Sequence, residues 1–187
     1  MPNLVSVIIP NYNYAEYLRE SIDSVLNQDY QEIEVIVVDD GSTDESLEIL
    51  RSYGSQIKVI EIANSGAPTA RNFGLMMAQG RYIAYLDADD YWLKTKISSQ
   101  VKHLLETKTD LVYCKMTVLE TDANTSTISE ESREGSFRNE FLLHPTRTPF
   151  PPSTALMTRE LVARVGMWDT TFKSPAEDFD YFRRCAK

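Results

Sequence analysis

The feature that most constrains the fold is a short, almost uninterrupted apolar run that recurs between helix-like segments. Leu4–Ile9 is one such run, and Pro10 ends it. Ile33–Val38 is a second run of the same kind. Apolar runs without polar alternation are typical of strands covered on both faces, as in parallel sheets. The sequence therefore predicts a buried, mostly parallel sheet.

Helical patterns separate these runs. Over Tyr14–Asn27 the apolar side chains fall on one helical face, and Asn13 with Glu16 resembles a capping pair at its start. An acidic residue three positions after Ser42 repeats that pattern and predicts a helix to about Tyr53. The same reasoning predicts further strands at Ile57–Ile62, Tyr82–Leu86, Leu111–Val118 and Ser153–Thr158, and further helices at Gly66–Ala78, Lys94–Thr107, Phe137–Leu143 and Asp178–Ala186.

Alternating strands and helices with short links predict an α/β fold, because parallel neighbours need crossover connections. At 187 residues the chain fits one domain. The segment 120–135 is polar, with Ile128 its only large apolar side chain, and we expect a mobile loop there. That loop divides residues 1–119 from a smaller part at 136–187.

Three polar segments follow predicted strands: Pro10–Asn13, Asp39–Gly41 and Asp87–Asp90. Ligands of parallel sheets gather beyond the carboxyl ends of the strands, so we expect these segments to line one crevice. Up to five carboxylates would meet there, namely those of Asp39, Asp40, Asp87, Asp89 and Asp90. Crowded carboxylates need a cation, and oxygen ligands without His or Cys favour Mg²⁺ or Mn²⁺, which also bind substrate phosphates.

Each of these residues also has a structural interpretation. The Asp-Gly-Ser-Thr sequence is often a turn with a helix cap, and Tyr12 either packs or offers its ring to a nucleobase. Arg71 either pairs with a diphosphate or with one of the aspartates, or forms a surface ion pair. Glu177 and Asp178 suit the acidic start of a helix. Their common order along the chain favours a shared site.

The ordered motifs closely resemble those of the family-2 glycosyltransferases, which have the GT-A fold. They are Pro10-Asn11-Tyr12-Asn13, Val37-Val38-Asp39-Asp40-Gly41-Ser42-Thr43-Asp44, Asn64-Ser65-Gly66, Ala70-Arg71-Asn72-Phe73-Gly74, Leu86-Asp87-Ala88-Asp89-Asp90 and Ala176-Glu177-Asp178-Phe179-Asp180. The resemblance implies a Rossmann-like nucleotide-sugar-binding half at 1–119 and an acceptor-side part at 136–187. Family members commonly continue well beyond the last motif, so we expect the acceptor side to be incomplete.

The resemblance also implies roles for individual residues. Pro10, Tyr12 and Asp40 would hold the nucleobase with Asn13 beside them, Asp39 and Arg71 would support the nucleotide, and Asp87 would approach the ribose. Asp89 would ligate Mn²⁺ or Mg²⁺, and Asp178 would be the catalytic base. One carboxylate base opposite a metal-bound diphosphate implies inversion at the anomeric carbon. The implied donor is a nucleoside-diphosphate sugar, with a UDP-sugar favoured, and the implied acceptor is a glycan or lipid-linked hydroxyl in polysaccharide synthesis.

Charge and hydropathy exclude other partners. A net charge of −9 argues against nucleic-acid binding. Neither a signal peptide nor a transmembrane run is found, so we expect a cytoplasmic protein, with peripheral membrane association at the cytoplasmic face left open. Cys114 and Cys185 are far apart and fit reduced thiols.

Four other classes of protein share some of these sequence features. A receiver domain would carry its acidic pair after the first strand, where this chain has Pro10-Asn11, and a haloacid-type phosphohydrolase would place Thr or Val after Asp-x-Asp. A sugar nucleotidyltransferase would need a Gly-rich basic loop after the first strand. A non-catalytic nucleotide-sugar-binding module stays open, since only Asp178 distinguishes it, as does a fragment that binds nucleotide but transfers poorly.

Overall fold

A computed structural model describes residues 3–120, 125–128, 150–172 and 176–186. The strands are β1 (Val5–Asn11), β2 (Ile33–Asp39), β3 (Lys58–Glu61), β4 (Tyr82–Tyr85), β5 (Leu111–Tyr113), β6 (Thr117–Glu120), β7 (Thr125–Ile128) and β8 (Ala155–Thr158). The helices are α1 (Ala15–Leu26), α2 (Ser46–Ser52), α3 (Ala67–Met77), α4 (Lys96–Thr107), α5 (Arg159–Val165) and α6 (Ala176–Cys185). Short 3-10 turns occupy Gly54–Gln56 and Pro152–Thr154.

Six strands form the central sheet in the order β3-β2-β1-β4-β8-β5. β1 lies in the middle and pairs in parallel with β2 and β4, while β8 runs antiparallel between β4 and β5. The prediction of a mostly parallel α/β sheet flanked by helices is confirmed. The reversed β8 brings the second part of the chain to the edge of β4, directly beside the acidic segment that follows it.

Both faces of the sheet are covered, as the apolar runs predicted. Along β1, Val7 and Ile9 pack with α1 and α4, and Ile8 packs against α3 on the opposite face. Gly74 of α3 makes that second contact close, because a Cβ at this position would overlap the Cγ2 of Ile8. The sheet is thereby fixed between two hydrophobic layers, and its carboxyl edge is left to the loops.

The strand predicted over 111–118 is wrong in its extent. β5 ends at Tyr113, and β6 begins at Thr117 in a separate two-stranded sheet with β7. The sequence pattern merged the two strands because nothing between them signals a turn. The loop predicted over 120–135 is likewise wrong at Thr125–Ile128, because β-branched threonines form a strand there through hairpin pairing. The helix predicted over Phe137–Leu143 lies outside the described residues.

Helix α5 was missed by the sequence analysis. Its start carries a recognisable cap, since the Thr158 side chain accepts a hydrogen bond of 3.2 Å from the amide of Leu161. Gly166 ends it with a positive φ of 83°. The cap and the glycine were available signals, but seven residues are too few for a clear helical period.

Candidate active site

Asp39 ends β2 and is buried at 1% exposure. Its carboxylate accepts hydrogen bonds from the amide of Ser42 at 2.9 Å, the hydroxyl of Ser42 at 2.7 Å and the Nδ2 of Asn11 at 2.8 Å. A buried carboxylate needs such donors to offset its lost hydration. Asp39 therefore joins the end of β1 to the loop after β2, and its negative charge is stabilised by hydrogen-bond donors of the protein.

Asn13 does not cap helix α1, so the predicted capping pair with Glu16 is wrong. Its backbone adopts a left-handed φ of 58°, which Asn tolerates better than most residues. In that conformation its Oδ1 accepts hydrogen bonds from the amides of Thr43 at 2.7 Å and Asp44 at 3.3 Å. Asn13 thus ties the loop after β1 to the loop after β2.

Asp44 caps two helices at once. Its Oδ2 accepts from the amide of Ala15 at the start of α1, and its Oδ1 accepts from the amide of Ser46 at the start of α2, each at 3.0 Å. Burial opposes ionisation of Asp44, but hydrogen bonds from Ser46 and Ala15 outweigh it and lower its pKa. The sequence analysis assigned the second cap to Ser42, one turn too early, because a cap shared by two helices has no local pattern.

Asp40 is buried at 3% exposure and holds the segment before α3. Its two carboxylate oxygens accept hydrogen bonds of 2.7 Å from the amides of Ser65 and Gly66. Gly66 has a φ of 90°, which favours glycine and turns the backbone toward the carboxylate. The loops after β2 and β3 are in this way locked together.

Pro10 and Tyr12 lie at the exit of β1. Pro10 lies beyond the part of β1 that pairs with β4, which ends at Ile8, so its missing amide costs no bond on that side. Tyr12 is 44% exposed directly after the strand. Its ring is therefore available to a ligand at the crevice, and the core-packing interpretation of Tyr12 is wrong.

Arg71 is the centre of the site. It is buried at 4% exposure, and its guanidinium bonds Asp87 at 2.8 Å and Asp178 at 3.1 Å. Burial by itself lowers the pKa of Arg71, but Asp87 and Asp178 more than reverse this and raise it. Of the interpretations left open, pairing with aspartates is the one observed, and a surface ion pair is wrong.

Asp178 lies in the first turn of α6, with 19% of its side chain exposed. Burial raises the pKa of its carboxyl to about 6, against the pull of Arg71, and the negative charges of Asp87 and Glu177 add to the rise. A carboxyl with this pKa is ionised near neutral pH and still basic enough to accept a proton. Asp178 has the protonation behaviour of a general base.

The acidic segment after β4 is anchored by Ser153. The Ser153 hydroxyl accepts a 3.1 Å hydrogen bond from the amide of Asp87, and it also bonds the carboxyl of Asp90. Asp89 is an exposed residue, but its carboxyl is partly surrounded by protein. This partial burial, together with the charge of Asp87, raises its pKa. Its charge in turn is the largest contribution to the raised pKa of Tyr14. Asp89 therefore carries a negative charge that a cation would stabilise.

The predicted cluster of five carboxylates is wrong. Asp39 and Asp40 are occupied by protein donors, and a protein cation, Arg71, balances Asp87. In the part of the chain that the structure describes, no three acidic, His or Cys side chains come together as a metal cage. A cation at Asp89 would need oxygen ligands beyond those that the described residues bring together.

Sequence reasoning missed Ser153 and Trp168 at this site. Ser153 follows a pair of prolines and was assigned only to a strand, while Trp168 was assigned no role. The indole of Trp168 lies under the Arg71 guanidinium, 4.6 Å from its carbon to the ring centroid. Neither contact leaves a local pattern, since each joins parts of the chain that are more than 60 residues apart.

A mostly parallel sheet with loops converging at its carboxyl edge and an Asp-x-Asp segment after β4 defines the class of GT-A nucleotide-sugar proteins. The family model described as Glycosyl transferase family 2 matches residues 6–166. The chain belongs to family 2 of the glycosyltransferases. Asp178 lies beyond the matched residues, so the assignment to the family does not depend on it.

Two curated relatives illustrate the range of similarity. An uncharacterised glycosyltransferase of Rickettsia prowazekii is 35% identical over 181 residues, which is 95% of this chain and 57% of the relative. The Escherichia coli protein named UDP-Glc:alpha-D-GlcNAc-diphosphoundecaprenol beta-1,3-glucosyltransferase WfaP is 45% identical over 108 residues, 56% of this chain and 42% of its own length. The chain thus spans about half the length of these relatives.

Solved structures confirm the GT-A fold. S. aureus TarS 1-349 in complex with UDP-GlcNAc has a TM-score of 0.77 at 25% identity and matches 98% of this chain and 53% of that one. A mannosyltransferase from Pyrobaculum calidifontis, in complex with GDP-Man and Mn²⁺, has a TM-score of 0.70 at 26% identity, over 100% of this chain and 54% of that one.

None of the helices that the structure describes combines the length and apolarity that a bilayer crossing requires.

Proposed function

We propose that this chain is the donor-binding and catalytic part of an inverting glycosyltransferase that uses a nucleoside-diphosphate sugar and a divalent metal. The observation that carries the proposal is the pair formed by Arg71 and Asp178, with the pKa of Asp178 raised to about 6. The guanidinium of Arg71 is buried and shared between the carboxylates of Asp87 and Asp178, which places an ionisable carboxylate beside the segment that follows β4.

The donor is bound at the loops after β1, β2 and β3. Tyr12 offers its ring to the base beside Pro10, and Asp40 supports the base site through its hydrogen bonds from the amides of Ser65 and Gly66. Asn13 and Asp39 act less directly, because their hydrogen bonds fix the loops that form the crevice. We favour a UDP-sugar, which is the donor named for WfaP and the ligand in the TarS complex.

Arg71 and Asp87 support the middle of the donor. Asp87 retains 30% exposure of its side chain while it pairs with Arg71, so one of its oxygens can accept from a ribose hydroxyl. The guanidinium neutralises Asp87 and Asp178 in part, which lowers the repulsion that a diphosphate would meet on entry. Arg71 therefore acts by holding Asp87 and Asp178 in place, and not by binding phosphate directly as an exposed side chain.

Asp89 suits a hard divalent ion. It is an exposed oxygen ligand with no ion pair among the described residues, and its pKa is raised by partial burial and, to a smaller extent, by the charge of Asp87, which a cation would offset. Mg²⁺ and Mn²⁺ typically bind through one or two carboxylates plus substrate phosphates, which agrees with the absence of a full protein cage in the described part. When bound, the ion would stabilise charge on the departing nucleoside diphosphate.

Asp178 supplies the other half of the chemistry. Its carboxylate takes the proton from the acceptor hydroxyl as that oxygen forms a bond to the anomeric carbon, while the bond to the diphosphate oxygen breaks. The hydroxyl proton ends on Asp178 and the bonding electrons leave with the diphosphate. Attack opposite the leaving group inverts the anomeric carbon. Arg71 holds the base at 3.1 Å from its guanidinium and keeps it ionised.

We propose a glycan or lipid-linked hydroxyl as the acceptor. WfaP is named for a diphosphoundecaprenol-linked acceptor, and a Bacillus subtilis relative, 46% identical over 107 residues, is named for teichuronic acid biosynthesis. Both names point to cell-envelope glycan synthesis, and we extend the proposal to the cytoplasmic face of the membrane.

The test replaces the base and keeps its shape. Asp178→Asn retains an oxygen that accepts from Arg71 but cannot take a proton, so release of UDP from UDP-glucose or UDP-GlcNAc with Mn²⁺ present should fall by about 10²- to 10⁴-fold. Nucleotide binding should persist. Asp180→Asn is the matched control, because Asp180 lies on the same helix and pairs with Arg184 instead.

Wild-type turnover in Asp178→Asn would refute the base. A wild-type protein that binds UDP and releases none from either donor would instead favour a non-catalytic nucleotide-sugar-binding module.

A further inference from the structure

Trp168 lies in the loop after α5, buried at 2% exposure, and contacts both Arg71 and the helix that carries Asp178. The guanidinium carbon of Arg71 is 4.6 Å from the indole centroid. On α6, the ring of Tyr181 stacks on the indole at 4.0 Å with an interplanar angle of 2°. Tyr181 follows Asp178 by one helical turn, so the stack fixes the turn of the helix that carries Asp178.

The backbone of Trp168 is fixed to α3 as well. The side chain of Asn72 donates to the Trp168 carbonyl at 2.9 Å and accepts from the Trp168 amide at 2.8 Å. Asn72 directly follows Arg71, so the same turn of α3 holds the arginine and the tryptophan. Rotation of the indole is further limited by the edge of Tyr85, whose ring centroid lies 5.2 Å away.

Arg71 needs a restraint of this kind. Its terminal nitrogens bond Asp87 and Asp178, but its buried Nε has no hydrogen-bond partner in the described part of the chain. A planar guanidinium stacks favourably on an aromatic face, most strongly where water is excluded. The indole of Trp168 therefore provides the aromatic face against which the Arg71 guanidinium packs.

We propose that Trp168 is a positioning residue that sets the separation between the Arg71 guanidinium and the Asp178 carboxylate. It touches neither the donor nor the reacting atoms and acts through these two side chains. The proposal rests on the function proposed above only in giving the Arg71–Asp178 pair a catalytic purpose. The geometric claim stands on its own.

The direct measurement is the titration of the Asp178 carboxyl by ¹³C NMR, with the signal assigned through its loss in Asp178→Asn. Arg71 holds the pKa of Asp178 down, so an arginine that moves away should let that pKa rise. Trp168→Leu removes both aromatic faces and should shift the titration upward by about one unit. Trp168→Phe keeps an aromatic face and should titrate as the wild type does.

Leu50→Ala is the control for general loss of stability, because Leu50 is buried in the hydrophobic layer on the opposite face of the sheet. It should lower the thermal midpoint without moving the Asp178 titration. If Trp168→Leu does not fold, Asn72→Ala replaces it, since that change frees the Trp168 backbone and should shift the titration in the same direction.

An unshifted titration in a folded Trp168→Leu, or in Asn72→Ala where that variant replaces it, would overturn the positioning role, and so would an equal shift in Leu50→Ala. None of these titrations measures sugar transfer. If Asp178 is not the catalytic base, this would be seen only as wild-type turnover in Asp178→Asn, so the two proposals can fail independently.

Discussion

At the scale of single residues, the buried charged side chains of Arg71, Asp39 and Asp40 each have a partner of opposite charge or a set of hydrogen-bond donors. The guanidinium of Arg71 lies between two carboxylates at 4% exposure, where water screens little. Asp39 and Asp40, which look equivalent to Asp87 in the sequence, are instead satisfied by amide and hydroxyl donors. Asp39 and Asp40 thus build the loops, whereas Asp87, Asp89 and Asp178 are the carboxylates to which the proposed function gives roles toward the donor, the metal and the acceptor.

The raised pKa of Asp178 predicts a pH dependence of stability. A carboxyl with a higher pKa in the folded state binds its proton more tightly there, so its contribution is full below the unfolded value of 3.8 and is lost as the pH rises through about 6. The unfolding free energy of the wild type should therefore fall across this window, by about 2–3 kcal/mol, relative to Asp178→Asn. Urea unfolding at a series of pH values measures the difference, and parallel profiles would contradict it.

At the scale of elements, the loops at the carboxyl edge are cross-linked before any ligand arrives. Asn13 joins the loops after β1 and β2, Asp40 joins the loops after β2 and β3, and Ser153 anchors the loop after β4. Side chains fixed in this way lose less entropy on binding. Asp44 adds the first turns of α1 and α2 to the same framework.

Asp44→Ala should destabilise the fold through two helix starts. Each lost cap costs about 1 kcal/mol, so the unfolding free energy should drop by about 2 kcal/mol. Glu20→Ala removes one negative charge from the exposed face of α1 and serves as the control, with little expected change. Chemical denaturation of both variants decides between them. Equal stability of the two variants would mean that the shared cap contributes nothing beyond its charge.

The elements of the first 113 residues were predictable because each strand is a local apolar run and each helix a local period. The second part was harder, since β8 is antiparallel, α5 has seven residues, and β6 and β7 carry no apolar alternation. At the site, the motifs identified Arg71 and Asp178, but their contact spans 107 positions in the sequence. Partners at that distance leave no local trace, which is why the sequence left open whether Arg71 pairs with a diphosphate, with an aspartate or at the surface.

At the scale of the whole molecule, the site exists only when both parts of the chain close on one another. β8 pairs with β4, Ser153 reaches the acidic segment, and α6 delivers Asp178 to Arg71. Five of the six strands of the central sheet come from residues before 120, while β8, Ser153 and the proposed base Asp178 come from residues after 150. On the proposed function, donor binding and proton transfer therefore fall to different parts of one fold.

We propose that the crevice binds a nucleoside diphosphate together with a metal at Asp89. Thermal unfolding with UDP should show a higher midpoint with Mn²⁺ than with EDTA, because a ligand at 100 times its dissociation constant adds about 2.7 kcal/mol to the native state. Asp89→Asn should lose the Mn²⁺-dependent part of the shift, and Asp90→Asn, whose carboxyl is bound to Ser153, should keep it. A midpoint that UDP and GDP leave unchanged in the presence of Mn²⁺ would contradict the account.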